Sequence, residues 1–157
     1  MKNILFLSLF ALLAFTSCTH KSTVLSTSGD YMIIGPGGGF RASPIGTYYY
    51  LSSSQLLADT TVNTITPPAT LSGYNFNTTL SAAKLAAMGN LLNEIPSSIL
   101  PLNHSEIGNS MVAVDGGYTV VQARIGSTLY DWKFHADQST SSAEIQAFVA
   151  KVEKVFE

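Results

Sequence analysis

The 157 residues carry eight Lys and Arg against ten Asp and Glu, a formal net charge of −2, and one cysteine. That balance excludes the strongly basic surface of a nucleic-acid-binding protein, and a lone cysteine excludes an internal disulfide. The hydrophobic share of 46 % is raised by the first eighteen residues, so the remainder is less apolar than the total suggests.

Lys2 gives a positive start, residues 4–15 are almost unbroken apolar sequence, and Phe15-Thr16-Ser17-Cys18 closes the stretch. About twelve apolar residues are too few to cross a bilayer core, which takes about twenty. A charged start, a short apolar core and small residues before a break compose a secretory signal. Small or hydroxylated residues leading straight into the only cysteine resemble the lipobox of bacterial lipoproteins, with Phe15 standing where Leu is usual. The resemblance implies that the Cys18 thiol receives a diacylglycerol, that residues 1–17 are removed, and that the new amine is acylated. A free thiol beside an ordinary cleavage site is the competing reading. Two or three acyl chains hold a protein on a membrane firmly, at roughly 0.8 kcal/mol per buried methylene. Residues 19–22 lack the acidic pair that resembles a surface-export tag, which favours an outer-membrane position facing the periplasm. Removing 1–17 leaves 140 residues, with seven basic against ten acidic side chains and a balance of −3. That length supports one stable core. The expected organisation is a signal over 1–17, a lipidated Ser/Thr-rich tether over 18–30, and one domain over 31–157.

Within the domain, residues 31–34 read as a short strand broken by Gly35-Pro36-Gly37-Gly38-Gly39-Phe40. Residues 45–51, with Tyr48-Tyr49-Tyr50, have strand composition, 52–54 form a turn, and 55–62 return, giving a meander. Residues 64–77, with Pro67-Pro68 and Gly73, read as a loop. The recurrence of Leu85, Met88, Leu92 and Ile95 predicts a helix over 80–95, with Thr79 or Ser81 as its N-cap. Gly89 weakens its middle by roughly 1 kcal/mol relative to Ala. Residues 97–109 read as an irregular link. Asp115-Gly116-Gly117 between 110–114 and 118–125 signals a hairpin, and Gly126-Ser127 reverses the chain into 128–135. A terminal helix over 141–156 presents Ile145, Phe148, Val149, Val152, Val155 and Phe156 on one face, with capping-box spacing of Ser141 and Glu144. The expected fold is α+β, an antiparallel sheet of about five to six strands with two amphipathic helices packed on one face.

The glycine run lacks the Lys-Ser/Thr of a phosphate loop, and a bulge or sharp turn explains it better than a ligand site. Asp131, Lys133 and His135 fall on one face of a strand and Tyr130, Trp132 and Phe134 on the other. A solvated outer face is the favoured explanation, and an acid–base pair of Asp131 and His135 in a cleft is the enzymatic alternative. No Gly-x-Ser-x-Gly elbow is present, so no catalytic residue is assigned. His20, His104 and His135 show no ligand spacing, so neither metal nor cofactor is expected. Tyr48 and Tyr50 fall on one sheet face and Tyr49 on the other. Asp59-Thr60-Thr61 resembles a short O-glycosylation signal of some Bacteroidetes.

A glycine run ending in Phe, a Tyr-rich strand, a central helix, a late Trp strand and a terminal helix resemble, in that order, small exported proteins of Bacteroidetes-type bacteria. Those usually show Gly-Gly-Phe-Thr-Gly, where this chain has Gly38-Gly39-Phe40-Arg41-Ala42. The resemblance implies no activity. The expectation is a lipid-anchored cell-envelope protein with a non-catalytic binding or structural domain. Its expected partners are the membrane, through the anchor, and another envelope protein or a glycan. Gly37, Gly38, Gly39, Phe40, Tyr49 and Trp132 are the expected contact residues.

Overall fold

The computed structural model describes residues 29–38, 45–110 and 117–157. Among them a seven-stranded sheet forms from β1 (Tyr31–Gly37), β2 (Ile45–Ser52), β3 (Leu56–Asn63), β4 (Thr78–Thr79), β5 (Ser105–Ile107), β6 (Tyr118–Ile125) and β7 (Thr128–His135). The spatial order is β4-β3-β2-β1-β6-β7-β5. Two α-helices, α1 (Ala82–Met88) and α2 (Ala143–Glu153), complete the regular structure together with several 3-10 turns.

The sheet has more strands than expected and is mixed. The residues read as an irregular link contain β5, which runs parallel to β7 with Glu106 beside Lys133. Three residues carry no strand signal of their own, and the free edge of β7 supplies the ladder that extends them. The expected meander of β1, β2 and β3 forms, and β6 and β7 pair from Tyr118↔His135 to Ile125↔Thr128. The preceding strand expected over 110–114 falls largely outside the described residues.

Strand β1 does not break at Gly35. It continues to Gly37 because β6 pairs with all seven of its residues, whereas its ladder with β2 ends at Ile34↔Tyr49. Pro36, which has no N–H to donate, thus sits where only one flank is laddered. A Cβ on Gly35 would collide with the Tyr48 ring, and one on Gly37 with the Tyr118 ring. These glycines therefore seat two tyrosines across the strand, rather than turning the chain. The Tyr48 hydroxyl then donates to the Pro36 carbonyl at 2.5 Å.

One face of the sheet carries Met32, Ile34, Leu51, Val121, Trp132 and Phe134 under both helices. In α2, Ile145, Phe148, Val149 and Val152 are buried, each contributing roughly 1.5–3 kcal/mol. Its N-cap is Ser142, whose hydroxyl accepts from Ile145 N, one residue later than the expected Ser141. Glu144 instead accepts from Ser98 Oγ at 3.1 Å, which draws it away from a capping box. Ser81 caps α1, accepting from Lys84 N at 3.2 Å. That helix stops at Gly89, and a 3-10 turn, Leu91–Glu94, carries the apolar face onward. Gly89 thus ends the expected sixteen-residue helix rather than merely bending it, for lack of side-chain packing and helix propensity.

The opposite face is not simply solvated. Tyr31, Ile33, Tyr48, Tyr50, Leu57, Val62 and Val120 form a second core, closed by Tyr74 and Phe76. Those two rings stack at 5.1 Å, and Phe76 also packs on Tyr50 at 5.6 Å. The segment 64–77, expected as a plain loop, is therefore a flap laid over half the sheet. The backbone bonds Gly38 N to Thr64 O (2.8 Å) and Leu80 N to Leu56 O (2.9 Å) fasten its two ends. Beyond the flap the face is polar, with Lys133 and His135 both on Glu106 at 3.2 and 3.1 Å. Among the described residues no helix is long and apolar enough to cross a membrane.

Candidate functional site: a tyrosine-lined cavity

A cavity of about 660 Å3 opens where the flap meets the β6–β7 end of the sheet. Strand register sets its floor. Gln122 on β6 lies opposite Asp131 on β7 and Ile33 on β1, and Tyr31 enters two positions along β1. The flap contributes Leu71, Ser72 and Tyr74 as the roof, and His104 forms one lip.

That lip is built by side chains acting as a strand. Before β5 begins, Asn103 Oδ1 accepts from Asp131 N at 2.9 Å and Asn103 Nδ2 donates to Leu129 O at 3.1 Å. His104 N donates to Asp131 O at 2.8 Å. To reach it, His104 adopts φ of +62°, the only described non-glycine residue at positive φ. Histidine is among the residues that tolerate this region, but the conformation persists only where its surroundings enforce it.

The roof is tied to the floor by a three-way contact. The Tyr74 hydroxyl lies 3.1 Å from Pro68 O and 3.2 Å from Gln122 Oε1, and Gln122 Nε2 donates to the same Pro68 carbonyl at 3.0 Å. Burial pushes the Tyr74 hydroxyl far above the usual phenol range, with the nearby Tyr48, Asp131 and Asp59 acting in the same direction. It therefore remains a neutral donor. Burial likewise raises Tyr31, opposed by Arg124.

Asp131 is the charged residue of this site. It is half-buried, and among the described residues its carboxylate oxygens accept no hydrogen bond. Burial pushes its carboxyl above the usual carboxylate range, while the charges of His104 and Lys133 partly hold it down. A carboxylate whose folded pKa is raised is a burden wherever it is ionised. Its penalty is present above the folded pKa and vanishes as pH falls below the unfolded one. Asp131→Asn should therefore raise the thermal midpoint at pH 7, and the gain should fade toward acid pH. A midpoint lowered at pH 7 would show instead that the carboxylate stabilises the fold.

Asp131 and His135 do not meet. Four residues apart on a strand, they are separated by roughly 13 Å, and His135 pairs with Glu106 and packs edge-on against Tyr118. The histidine that does share a cavity with Asp131 is His104. Trp132, an expected contact residue, is fully buried beneath the helices and donates Nε1 to Ile99 O at 3.0 Å. Tyr49 lines a different cavity of about 550 Å3, against Phe156 at 5.9 Å and under the Lys84 ammonium. Gly37 is buried beneath the Tyr118 ring, and Gly38 follows it at the strand's end. Gly39, Phe40 and Cys18 lie outside the described residues. Thr60 is exposed on β3, whereas Asp59 beside it is buried. Among the described residues no group of three or more His, Cys, Asp or Glu could hold a metal ion.

Sequence reasoning missed Tyr31, Tyr74, Gln122 and His104. The alternation of Tyr74 and Phe76 within an apparent loop was the one local signal for the roof. No family model, curated protein or solved structure matches the chain.

Proposed function

We propose that this chain is a lipid-anchored cell-envelope protein, held at the outer membrane facing the periplasm through acylated Cys18, and that its domain is a non-catalytic binding module. The cavity beside Asp131 carries the second half of this reading. A half-buried ionisable side chain that accepts no hydrogen bond among the described residues and faces a ligand-sized space is better explained by what it binds than by what it stabilises. The apolar run before Cys18, the small residues beside it and the lack of a second cysteine support the first half. Acid–base chemistry by Asp131 and His135 has the strand spacing against it, since a catalytic proton transfer needs hydrogen-bond reach.

The anchor is tested in the native membrane. Cys18→Ser should leave the signal uncleaved and abolish lipid attachment, so mass spectrometry should find neither the diacylglycerol mass nor a mature N-terminus at residue 18. Metabolic labelling with a fatty acid should mark the parent protein alone. An unacylated mature N-terminus in the parent would refute the anchor.

A further inference from the structure

We propose that the Tyr31–Tyr74–Asp131 cavity is a site for a small organic ammonium ion bearing an apolar group. This rests on the reading of the domain as a binding module and names its ligand class.

Part of the polar inventory of the cavity is spent within the protein, while His104 and Tyr31 also line it. The Gln122 amide and the Tyr74 hydroxyl are committed to each other and to Pro68 O. Thr70 Oγ1 and Ser72 Oγ lie 3.1 Å from one another. The Asp131 carboxylate remains, half-buried and without a hydrogen bond among the described residues. Of the cationic groups that act on it, Lys133 Nζ pairs with Glu106 at 3.2 Å, and His104 stands at the lip of the same cavity. An ammonium group supplies the hydrogen-bond donors that Asp131 lacks among the described residues.

The surroundings select for the rest of the ligand. Tyr31 and Tyr74 bring aromatic side chains to the cavity, and ring faces attract cations. Leu71 and Leu129 form an apolar mouth, Leu129 being 56 % exposed. The space of about 660 Å3 suits a compact organic molecule. The chain left after signal removal is itself net negative, which favours arrival of a cation.

The test is an NMR titration of the full chain in detergent micelles at pH 8, following the amides of Ser72, Gln122 and Asp131. The probes are butylammonium, 1-butanol of matching size, and glucose. Butylammonium should bind at least tenfold more tightly than 1-butanol, and Asp131→Asn should erase that difference. Leu129→Arg, at an exposed position on the mouth where it cannot disturb the core, should weaken butylammonium at least tenfold more than it weakens 1-butanol. Equal affinities in the parent, or undiminished discrimination in Asp131→Asn, would overturn the proposal. Binding of glucose or 1-butanol at these amides without preference for the cation would sink the ammonium assignment and leave the binding module standing. If none of the three probes moves these amides, both fall.

Discussion

Trp132→Ala should cost about 4–5 kcal/mol of folding stability. Removal of a buried Trp or Phe side chain typically costs about 3–5 kcal/mol, from lost burial and the cavity left behind. Trp132 has no exposed surface, stacks on Tyr130 at 5.2 Å, and lies in the cluster that joins the sheet to both helices. Its indole also donates to Ile99 O at 3.0 Å, and losing that partner adds about 1 kcal/mol more. Domains of this size have roughly 5–15 kcal/mol in hand, so the variant should sit near the edge of folding. Trp132→Phe keeps most of the ring and loses the N–H, and should cost about 1–2 kcal/mol. Since the chain has one tryptophan, urea denaturation should be followed by far-UV circular dichroism rather than fluorescence. A loss below 1 kcal/mol in Trp132→Ala would contradict the packing described. The effect should reach the cavity as well. Ile99 belongs to the 3-10 turn Ser97–Leu102, which leads directly into Asn103 and His104 at the lip.

The strands whose signals are local were legible. Tyr118–Ile125 and Thr128–His135 match their expected bounds because alternation and the Gly126-Ser127 turn lie within eighteen consecutive residues. Ser105–Ile107 was not legible, since three residues become a strand only when the edge of β7 is present. The division of Asp131 from Trp132 across the strand was correct, yet it assigned Trp132 to contact and Asp131 to solvent, because the helices and the flap that cover each face come from elsewhere in the chain. The cavity was the least legible part. Tyr31 and Gln122 are ninety-one positions apart and meet through the pairing of β1 with β6. His104 reaches Asp131 through a positive φ that no periodicity encodes. Periodicity reports which way a side chain faces, and what it faces is decided by long-range pairing.

Asp59→Ala should cost about 3 kcal/mol and should act on the flap before the rest of the domain. Asp59 is 1 % exposed, and its carboxylate accepts from Thr61 N at 2.8 Å, Thr61 Oγ1 at 2.6 Å and Asn75 N at 2.5 Å. Hydrogen bonds to a charged group contribute roughly 1.5–3 kcal/mol each, and the two from Thr61 are local and partly recovered by water once the side chain is gone. The bond from Asn75 spans sixteen residues and fixes the flap between Tyr74 and Phe76, the two rings that close the second core. Alanine leaves that N–H facing a buried void. Asparagine retains one acceptor oxygen but sets an amide NH2 in place of the other, so Asp59→Asn should lose about half as much. Hydrogen exchange separates local from global opening. In Asp59→Ala the amides of Tyr74, Asn75 and Phe76 should exchange much faster than in the parent, while those of Ile33 and Val121 in the central strands should change only by the loss of global stability. Uniform acceleration throughout the sheet would mean that flap and sheet open together. Unchanged exchange at Asn75 would mean that Asp59 does not hold the flap. Because the flap carries Leu71, Ser72 and Tyr74 into the cavity, its release should also weaken binding there, although Asp59 does not line that space.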